Sequence, residues 1–313
     1  MKELRFDGRV AVITGAGGNP GLGRSYAMLL AARGARVVVN DLRVGPDGRG
    51  AIGAGPDQVV DEIRAAGGEA IVSTDSVADR EGADRIVQCA LDNWGRIDIV
   101  VNNAGIAPFA RFDEISVFDI ERVVGVHLMG HIWMCRAAWP HMKEREYGRI
   151  VNVSSSVAVK GMPYQSMYSA AKMGVVGLTR ALASEGIHYG IGANAIMPNA
   201  DTLAWQTMLS GEFSNLARQN GAVPEVVAPV AAWLAHEECT VSGKIFHTEA
   251  GSVKEVFFST TIGTPPNPDI TPERMADEIG VITDRTGSIG IPDPDGSVPP
   301  ALKPKPYSES LRD

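Results

Sequence analysis

Val10-Ala11-Val12-Ile13-Thr14-Gly15-Ala16-Gly17-Gly18-Asn19-Pro20-Gly21-Leu22-Gly23-Arg24 is the stretch that decides the fold of this chain. It starts as an apolar, β-branched run of strand length, and from Ser25 to Arg33 it continues with helical periodicity. A buried strand that turns through glycines into a helix presents bare backbone N–H groups and the positive end of a helix dipole, an arrangement that holds a pyrophosphate. Glycine suits the turn because a side chain would block close approach of the backbone and because some positions need φ > 0. Gly15, Gly21 and Gly23 are the expected pyrophosphate residues, with Asn19 and Leu22 beside them. Glycine-rich βα turns also occur without ligands, but this one opens the first βα unit, and the next strand, Ala35 to Asn40, ends in Asp41. An acidic residue there can accept hydrogen bonds from both hydroxyls of an adenosine ribose, and its charge repels a 2′-phosphate, which favours NAD over NADP. Leu42 follows it in the same pocket, and Arg43 is close enough to complicate that preference.

Working outward, strand-like runs near 9–14, 35–40, 69–73, 97–102, 149–154, 192–197 and 243–248 alternate with amphipathic helical stretches near 21–33, 56–66, 79–94, 116–144, 165–189 and 223–236. The alternation predicts an α/β fold, a Rossmann-type doubly wound parallel sheet of about seven strands with helices on both faces. Ligands of such sheets bind at the carboxyl ends of the strands, where the glycine turn, Asp41, Asp75, the Asn102–Gly105 loop, Ser155 and Pro198 all fall. Residues 1–262 form the expected dinucleotide-binding domain, and 263–313 a Pro/Gly-rich extension. Within the extension, Thr271-Pro272-Glu273 opens a short helical candidate that Gly280 should stop. The extension reads equally as a partly disordered tail or as an arm that reaches a partner subunit or the mouth of the site. Pro46–Gly55 reads as a glycine-rich surface loop near the adenosine end.

Tyr168-Ser169-Ala170-Ala171-Lys172 carries the chemistry. A tyrosine and a lysine four residues apart share one helix face, and Ser155 lies thirteen residues earlier. Tyrosine titrates near about 10, and a neighbouring ammonium favours its phenolate. Such pairs also arise by chance on solvated helices, so the pair gains meaning from its company.

In that company the chain resembles the short-chain dehydrogenase/reductase family over residues 6–255, on Thr14-Gly15, Asn102-Asn103-Ala104-Gly105, Ser155, and Tyr168 with Lys172. Finer stretches, among them Val39-Asn40-Asp41-Leu42, Arg136-Ala137-Ala138-Trp139, Tyr147-Gly148-Arg149-Ile150 and Met197-Pro198-Asn199-Ala200, are similar to one branch, the (3R)-hydroxyacyl-CoA dehydrogenase units of type 2 peroxisomal multifunctional enzymes. The resemblance implies reversible hydride transfer between a secondary alcohol and a nicotinamide. Tyr168 would be the general base, Ser155 would hydrogen-bond the substrate oxygen, and Lys172 would lower the tyrosine pKa and hold the nicotinamide ribose. It also implies that Asp75 and Ser76 line adenine, that Asn103, Ala104 and Gly105 pass beneath the ribose, that Pro198, Ala200 and Thr202 meet the nicotinamide, and that the chain forms a homodimer or homotetramer.

Three departures from the family pattern stand out. The glycine turn is longer than usual, with Pro20 expected to stiffen it; Asn199 stands where a glycine is common; and His127 aligns with the usual catalytic asparagine. A lone histidine between Val126 and Leu128 reads either as a core residue satisfied by backbone or as a member of the site. The resemblance implies that the backbone carbonyl at this position helps hold a water linking Lys172 to solvent, a role that survives a change of side chain.

Composition narrows the class. The 313 residues, 44% hydrophobic, suffice for a substantial core, and a net charge of −8 with no basic face argues against nucleic acid as a partner. Cys89, Cys135 and Cys239 form no Cys-x-x-Cys, and the six histidines show no zinc spacing beyond His127/His131, so no metal is expected. Apolar stretches such as Val226–Ala235 fall well short of the ~20 residues of a membrane span. The absence of a leader and of a Ser-Lys-Leu ending makes the cytoplasm the expected location. The segment 201–221, with Leu203, Trp205, Met208, Leu209, Phe213 and Leu216, suits a hydrophobic alcohol or ketone. Arg111, Lys160 and Arg218 are the nearby cations that a CoA phosphate could use. The competing class is a dinucleotide-binding sensor without turnover, which would be expected to lose Ser, Tyr or Lys from the site.

Overall fold

The computed structural model describes residues 2–44, 55–106, 108–203, 206 and 211–297. The glycine-rich loop expected at 46–55 therefore lies, except for Gly55, outside the described residues, as do Trp205, Met208, Leu209 and the side chain of Phe213 from the expected substrate loop.

Eight strands, β1 (Val10–Thr14), β2 (Arg36–Asn40), β3 (Glu69–Ser73), β4 (Ile99–Asn102), β5 (Gly148–Val153), β6 (Ile191–Asn199), β7 (Ile245–Glu249) and β8 (Ser252–Glu255), form one sheet in the order β3-β2-β1-β4-β5-β6-β7-β8. Seven run parallel, and β8 folds back antiparallel on β7. This eighth strand was not read from the sequence, because Ser252–Glu255 is exposed throughout and shows no buried pattern. The parallel strands are valine- and isoleucine-rich because both of their faces are covered. On one face, helices α1 (Leu22–Ala32), α2 (Gly55–Ala65) and Pro224–Ala235 pack Tyr26, Leu30, Ile63 and Leu234 over Ile13, Val37 and Val39. On the other, α3 (Arg80–Trp94) and Gly130–Glu144 bring Ile86, Met134 and Met142 onto Val10, Val38 and Val100.

The chain reverses its winding between β3 and β4, so β1 and β4 are the neighbours at the switch point, where such sheets open a crevice. The last register positions there are polar. Thr14 lies opposite Asn40, Asn40 opposite Ser73, and Asn102 opposite Asn152. The long helix expected over 116–144 is two helices, α4 (Val117–Val124) and α5 (Gly130–Glu144), joined through a π turn at Gly125–Met129 that carries His127. Such a turn adds a residue to the helical ladder and redirects the side chains on it, a feature frequent at functional sites. Between β5 and the substrate region run α6 (Val157–Lys160) and α7 (Ser166–Gly186), followed after β6 by α8 (Gly211–Gln219) and α9 (Pro224–Ala235). Beyond β8, Ser259–Thr260 (β9) pairs with Ile289–Gly290 (β10), and α10 spans Pro272–Ile282. The Thr271 side chain caps α10 at Arg274 N, 3.2 Å away, as the sequence predicts. The helix passes through Gly280 rather than stopping there, and Thr283 closes it by donating its hydroxyl to Ile279 O at 2.8 Å. No helix among the described residues is long and apolar enough to cross a membrane.

Candidate active site

One cavity of about 440 Å³ opens at the switch point, and most of the residues singled out above meet on its walls. Gly15, Gly21, Leu22, Asp41, Leu42, Asp75, Ser76, Asn103, Ala104 and Gly105 line one half; Ser155, Tyr168, Lys172, His127, Pro198, Ala200 and Thr202 line the other. Asn19 and Gly23 do not line it. Gly23 serves packing instead, since a Cβ there would run into the Gly15 carbonyl and the Asn103 side chain.

The glycine turn is braced from the next strand. Thr14 Oγ1 accepts from the N–H groups of Asn103 and Ala104, both at 3.0 Å, and Asn103 Nδ2 donates to the carbonyls of Thr14 and Gly15, both at 2.9 Å. Gly15 has φ +64°, and a Cβ there would lie 2.6 Å from Ala104 Cα, so glycine is required. The first turn of α1 has no side-chain cap and no acidic residue, and Gly18 faces open space. An uncapped helix start beside an open glycine fits an anionic phosphate group.

Asp41 Oδ2 accepts from Gly17 N at 2.9 Å, and its Oδ1 from Arg43 N at 3.2 Å. Burial pushes this carboxyl above the ordinary carboxylate range, against the pull of the Gly17, Arg43 and Leu42 N–H groups. Arg43, the cation that complicated the reading of cofactor choice, is committed to Asp57 at the start of α2, with its Nε 2.8 Å from Oδ2. Asn40 donates from Nδ2 to Asp75 O at 2.9 Å and so fixes the strand end next to Asp41. Asp75 itself takes the Arg85 guanidinium at 2.6 Å.

In the other half, Ser155 follows β5, and its hydroxyl hydrogen-bonds Tyr168 on α7. Lys172, one turn on, donates from Nζ to Val153 O at 2.6 Å. The expectation that Lys172 lowers the Tyr168 pKa needs correction. Burial raises Tyr168, and the opposing pull comes from the Ser155 hydrogen bond rather than from the ammonium. The physical reason is that burial also depresses Lys172 to about 7, so near neutrality much of its charge is lost. Beneath the pair, Asn102 Nδ2 donates to Asn152 Oδ1, and Asn152 Nδ2 to Thr179 Oγ1, each at 2.9 Å, tying β4, β5 and α7 together.

His127 combines both of the readings open to it. Its Nε2 lies 2.5 Å from Ile106 O, so backbone satisfies one nitrogen, while its ring packs edge-on against Tyr168 with centroids 4.9 Å apart. Gly105 makes room for it, since a Cβ there would come 2.6 Å from His127 Cε1. Burial, then the Lys172 charge, depress its pKa to about 3, so the imidazole is neutral across the physiological range.

The apolar end of the cavity was not assembled from sequence. Ile106, Phe109, Val157, Met162 and Leu203 come from four separate segments and show no common pattern along the chain. Leu203 is anchored to the glycine turn by its N–H to Pro20 O at 2.9 Å, and Gln165 holds the 106–109 loop by donating to Pro108 O at 3.2 Å. Arg218, considered above for phosphate, pairs with buried Asp201, which also accepts from Ser214 Oγ at 2.8 Å and Gln206 Nε2 at 2.9 Å. Arg111 pairs with Asp113 at 3.2 Å and Glu114 at 3.5 Å.

A sequence profile described as short chain dehydrogenase matches residues 9–206. The chain belongs to the short-chain dehydrogenase/reductase family, and the class defined by its fold is that of oxidoreductases. It is 43% identical over 284 residues to peroxisomal multifunctional enzyme type 2 of Mus musculus, covering 90% of this chain and 37% of that one. A short-chain type dehydrogenase/reductase of Mycobacterium tuberculosis is also 43% identical over 284 residues, covering 90% of this chain and 96% of the relative. The solved full-length multifunctional enzyme type 2 of Drosophila melanogaster superposes with a TM-score of 0.75 at 35% identity, covering 92% of this chain and 48% of that structure. The chain thus spans little more than a third of the mouse relative's length.

Proposed function

We propose that this protein is an NAD-dependent oxidoreductase that interconverts a hydrophobic secondary alcohol and its ketone. The observation that carries the reading is the meeting of Ser155, Tyr168 and Lys172 on a cavity whose far end is the glycine turn and Asp41. The uncapped start of α1, Gly15, Gly18 and Gly21 would hold the pyrophosphate, Asp41 the adenosine ribose, and Lys172 the nicotinamide ribose. When bound, the nicotinamide supplies the acceptor or donor of a hydride. The chain supplies the proton chemistry: Ser155 Oγ positions the alcohol oxygen, and Tyr168 Oη removes its proton in oxidation and returns it in reduction. Charge favours NAD. Asp41 opposes a 2′-phosphate, and Arg43, which could have welcomed one, is held by Asp57.

Ile106, Phe109, Val157, Met162 and Leu203 favour an apolar substrate body. Among the described residues on the cavity wall, Lys172 is the one lysine or arginine, and Arg111 and Arg218 are engaged by carboxylates. A CoA thioester brings three phosphates that would need cations at the rim. The second reading, a (3R)-hydroxyacyl-CoA substrate, is favoured by the likeness to multifunctional enzymes across 284 residues. A panel of alcohols and 3-hydroxyacyl-CoA thioesters, assayed with NAD and NADP by absorbance, decides. A thioester roughly a hundredfold more efficient than any free alcohol, about 2.7 kcal/mol of transition-state binding, would reverse the order. No turnover of any substrate would favour the sensor class.

We also propose assembly as a homodimer or homotetramer. Val117 on α4 and Met173 on α7 are exposed apolar side chains on helices flanking the site. Sedimentation at micromolar concentration tests it, and a monomer would refute it.

A further inference from the structure

His131, on the first turn of α5, is a buried group that the proposed reaction does not use. One of its ring nitrogens faces the backbone carbonyls of Asn102 at the end of β4 and Val153 at the end of β5. Nε2 is buried and has no hydrogen-bond partner, so Nδ1 is the nitrogen that carries the proton toward those carbonyls and Nε2 is a bare acceptor. His127, one turn earlier, is in the same condition. Its Nε2 serves Ile106 O, and its Nδ1 is buried without a partner. Lys172 is close enough for its charge to depress both imidazoles. Its Nζ carries three N–H bonds when charged, and Val153 O, the carbonyl His131 also faces, takes one of them.

We propose, on the footing of the function above, that His131 is a positioning residue for Lys172: Nε2 of His131 and Nδ1 of His127 accept hydrogen bonds from one ordered water that in turn accepts from the lysine ammonium. The arithmetic closes, because a water can donate to two imidazoles while accepting from one ammonium, within the two to four polar partners that a buried water needs. Two neutral acceptors reached through that water stabilise the charged lysine in an interior that otherwise drives its proton off. The groups facing Lys172 from the packed elements are His131 and Cys135 on α5, His127 on the π turn, Ser155 after β5, Asn102 on β4 and Tyr168 on its own helix.

The test is the pH profile of kcat/KM for alcohol oxidation in the wild type, His131→Asn, His131→Gln and Tyr168→Phe. Asparagine keeps a donor toward the two carbonyls and removes the Nε2 acceptor; glutamine restores an acceptor at that reach. Losing the acceptor destabilises the ammonium, so the alkaline limb of His131→Asn should move to lower pH by about one unit. The acid limb, set by Tyr168, should move up as positive charge beside it falls, with the dissociation constant for NAD changed less than threefold. His131→Gln should recover most of the wild-type width. A His131→Asn profile that superimposes on wild type, with Tyr168→Phe inactive, overturns this inference and leaves the proposed function standing. A fully active Tyr168→Phe overturns both. Should His131→Asn fail to fold, a high-resolution crystal structure of the wild type decides: a water within hydrogen-bond reach of the three nitrogens supports the proposal, and direct packing without one overturns it.

Discussion

At the amino ends of β1, β4 and β5 the buried polar groups are matched to one another, whereas at the carboxyl ends of the same strands several are left open. Asp98, fully buried, accepts from Arg96 Nε at 2.8 Å and Nη2 at 2.6 Å, from Val10 N at 2.9 Å, and from Arg9 at 3.5 Å. Arg149 nearby donates to the carbonyls of Gly148, Gly190, His236 and Glu237. Tyr147 is the exception there, its hydroxyl buried without a partner while its ring lies under Arg9 at 3.7 Å and Arg149 at 4.7 Å. At the other end, α1 starts without a cap, two imidazole nitrogens have no partner, and a lysine is buried. Unmatched buried polar groups cost stability. The sheet carries that cost at the end where a ligand would relieve it and avoids it where strands must only stay in register.

The contrast is broken most directly by Tyr168→Phe. Removing the proton-transfer hydroxyl from the open end should lower kcat/KM by roughly 10²–10⁴-fold with little change in thermal stability. Retained turnover would mean that the open end is not the reacting end. The mirror-image change is Asp98→Ala, which leaves Arg9 and Arg96 without their shared carboxylate. Breaking a buried pair from one side costs about 3–5 kcal/mol. Urea denaturation should show a loss of that order, while the folded fraction keeps the wild-type KM. A loss below about 1 kcal/mol would show that the amino ends are not the clamp described here.

How much of this was legible beforehand follows the same division. The strand–glycine–helix stretch from Val10 to Arg24 and the Tyr168/Lys172 spacing are local patterns, so both the doubly wound sheet and the residues that gather on the cavity could be placed from sequence. Long-range pairings could not. Arg43 with Asp57, Arg218 with Asp201 and Arg9 with Asp98 join residues whose spacing announces nothing, and each changes the reading of a charge that looked free. The π turn at Gly125–Met129 was also hidden, since Val126-His127-Leu128 reads as an ordinary apolar helix. The weak electrostatic help from Lys172 could not be foreseen either, because it depends on how completely the lysine is buried.

The open end should also betray itself in acid. His127 is held at about 3, below its ordinary 6.5, by burial and by Lys172. Between those two values the unfolded chain binds a proton that the folded protein refuses, so the stability this group contributes is complete above pH 6.5 and is lost as the pH falls toward 3. His127→Asn removes that proton uptake. Its stability should fall less steeply than that of the wild type between about pH 6.5 and pH 4.5, by about 1.4 kcal/mol per pH unit. Parallel curves would show that His127 is protonated in the fold and that the carboxyl end is wetter than its geometry implies.

The smallest expected effect tests whether the open end discriminates by charge. Asp41→Asn leaves an oxygen to accept from Gly17 N, so the glycine turn keeps its brace, and it removes the carboxylate that opposes a 2′-phosphate. The preference for NAD over NADP should narrow by about tenfold, about 1.4 kcal/mol, mainly through a better KM for NADP. Asp57→Ala sharpens the point by releasing Arg43 from its ion pair, and together the two changes should favour NADP further than either alone. The two sites share Arg43, so their effects should exceed additivity. If Asp41→Asn leaves the ratio of kcat/KM values for the two cofactors unchanged, then charge at this strand end does not select the cofactor, and discrimination would have to come from the shape of the pocket around Leu42 and Val44.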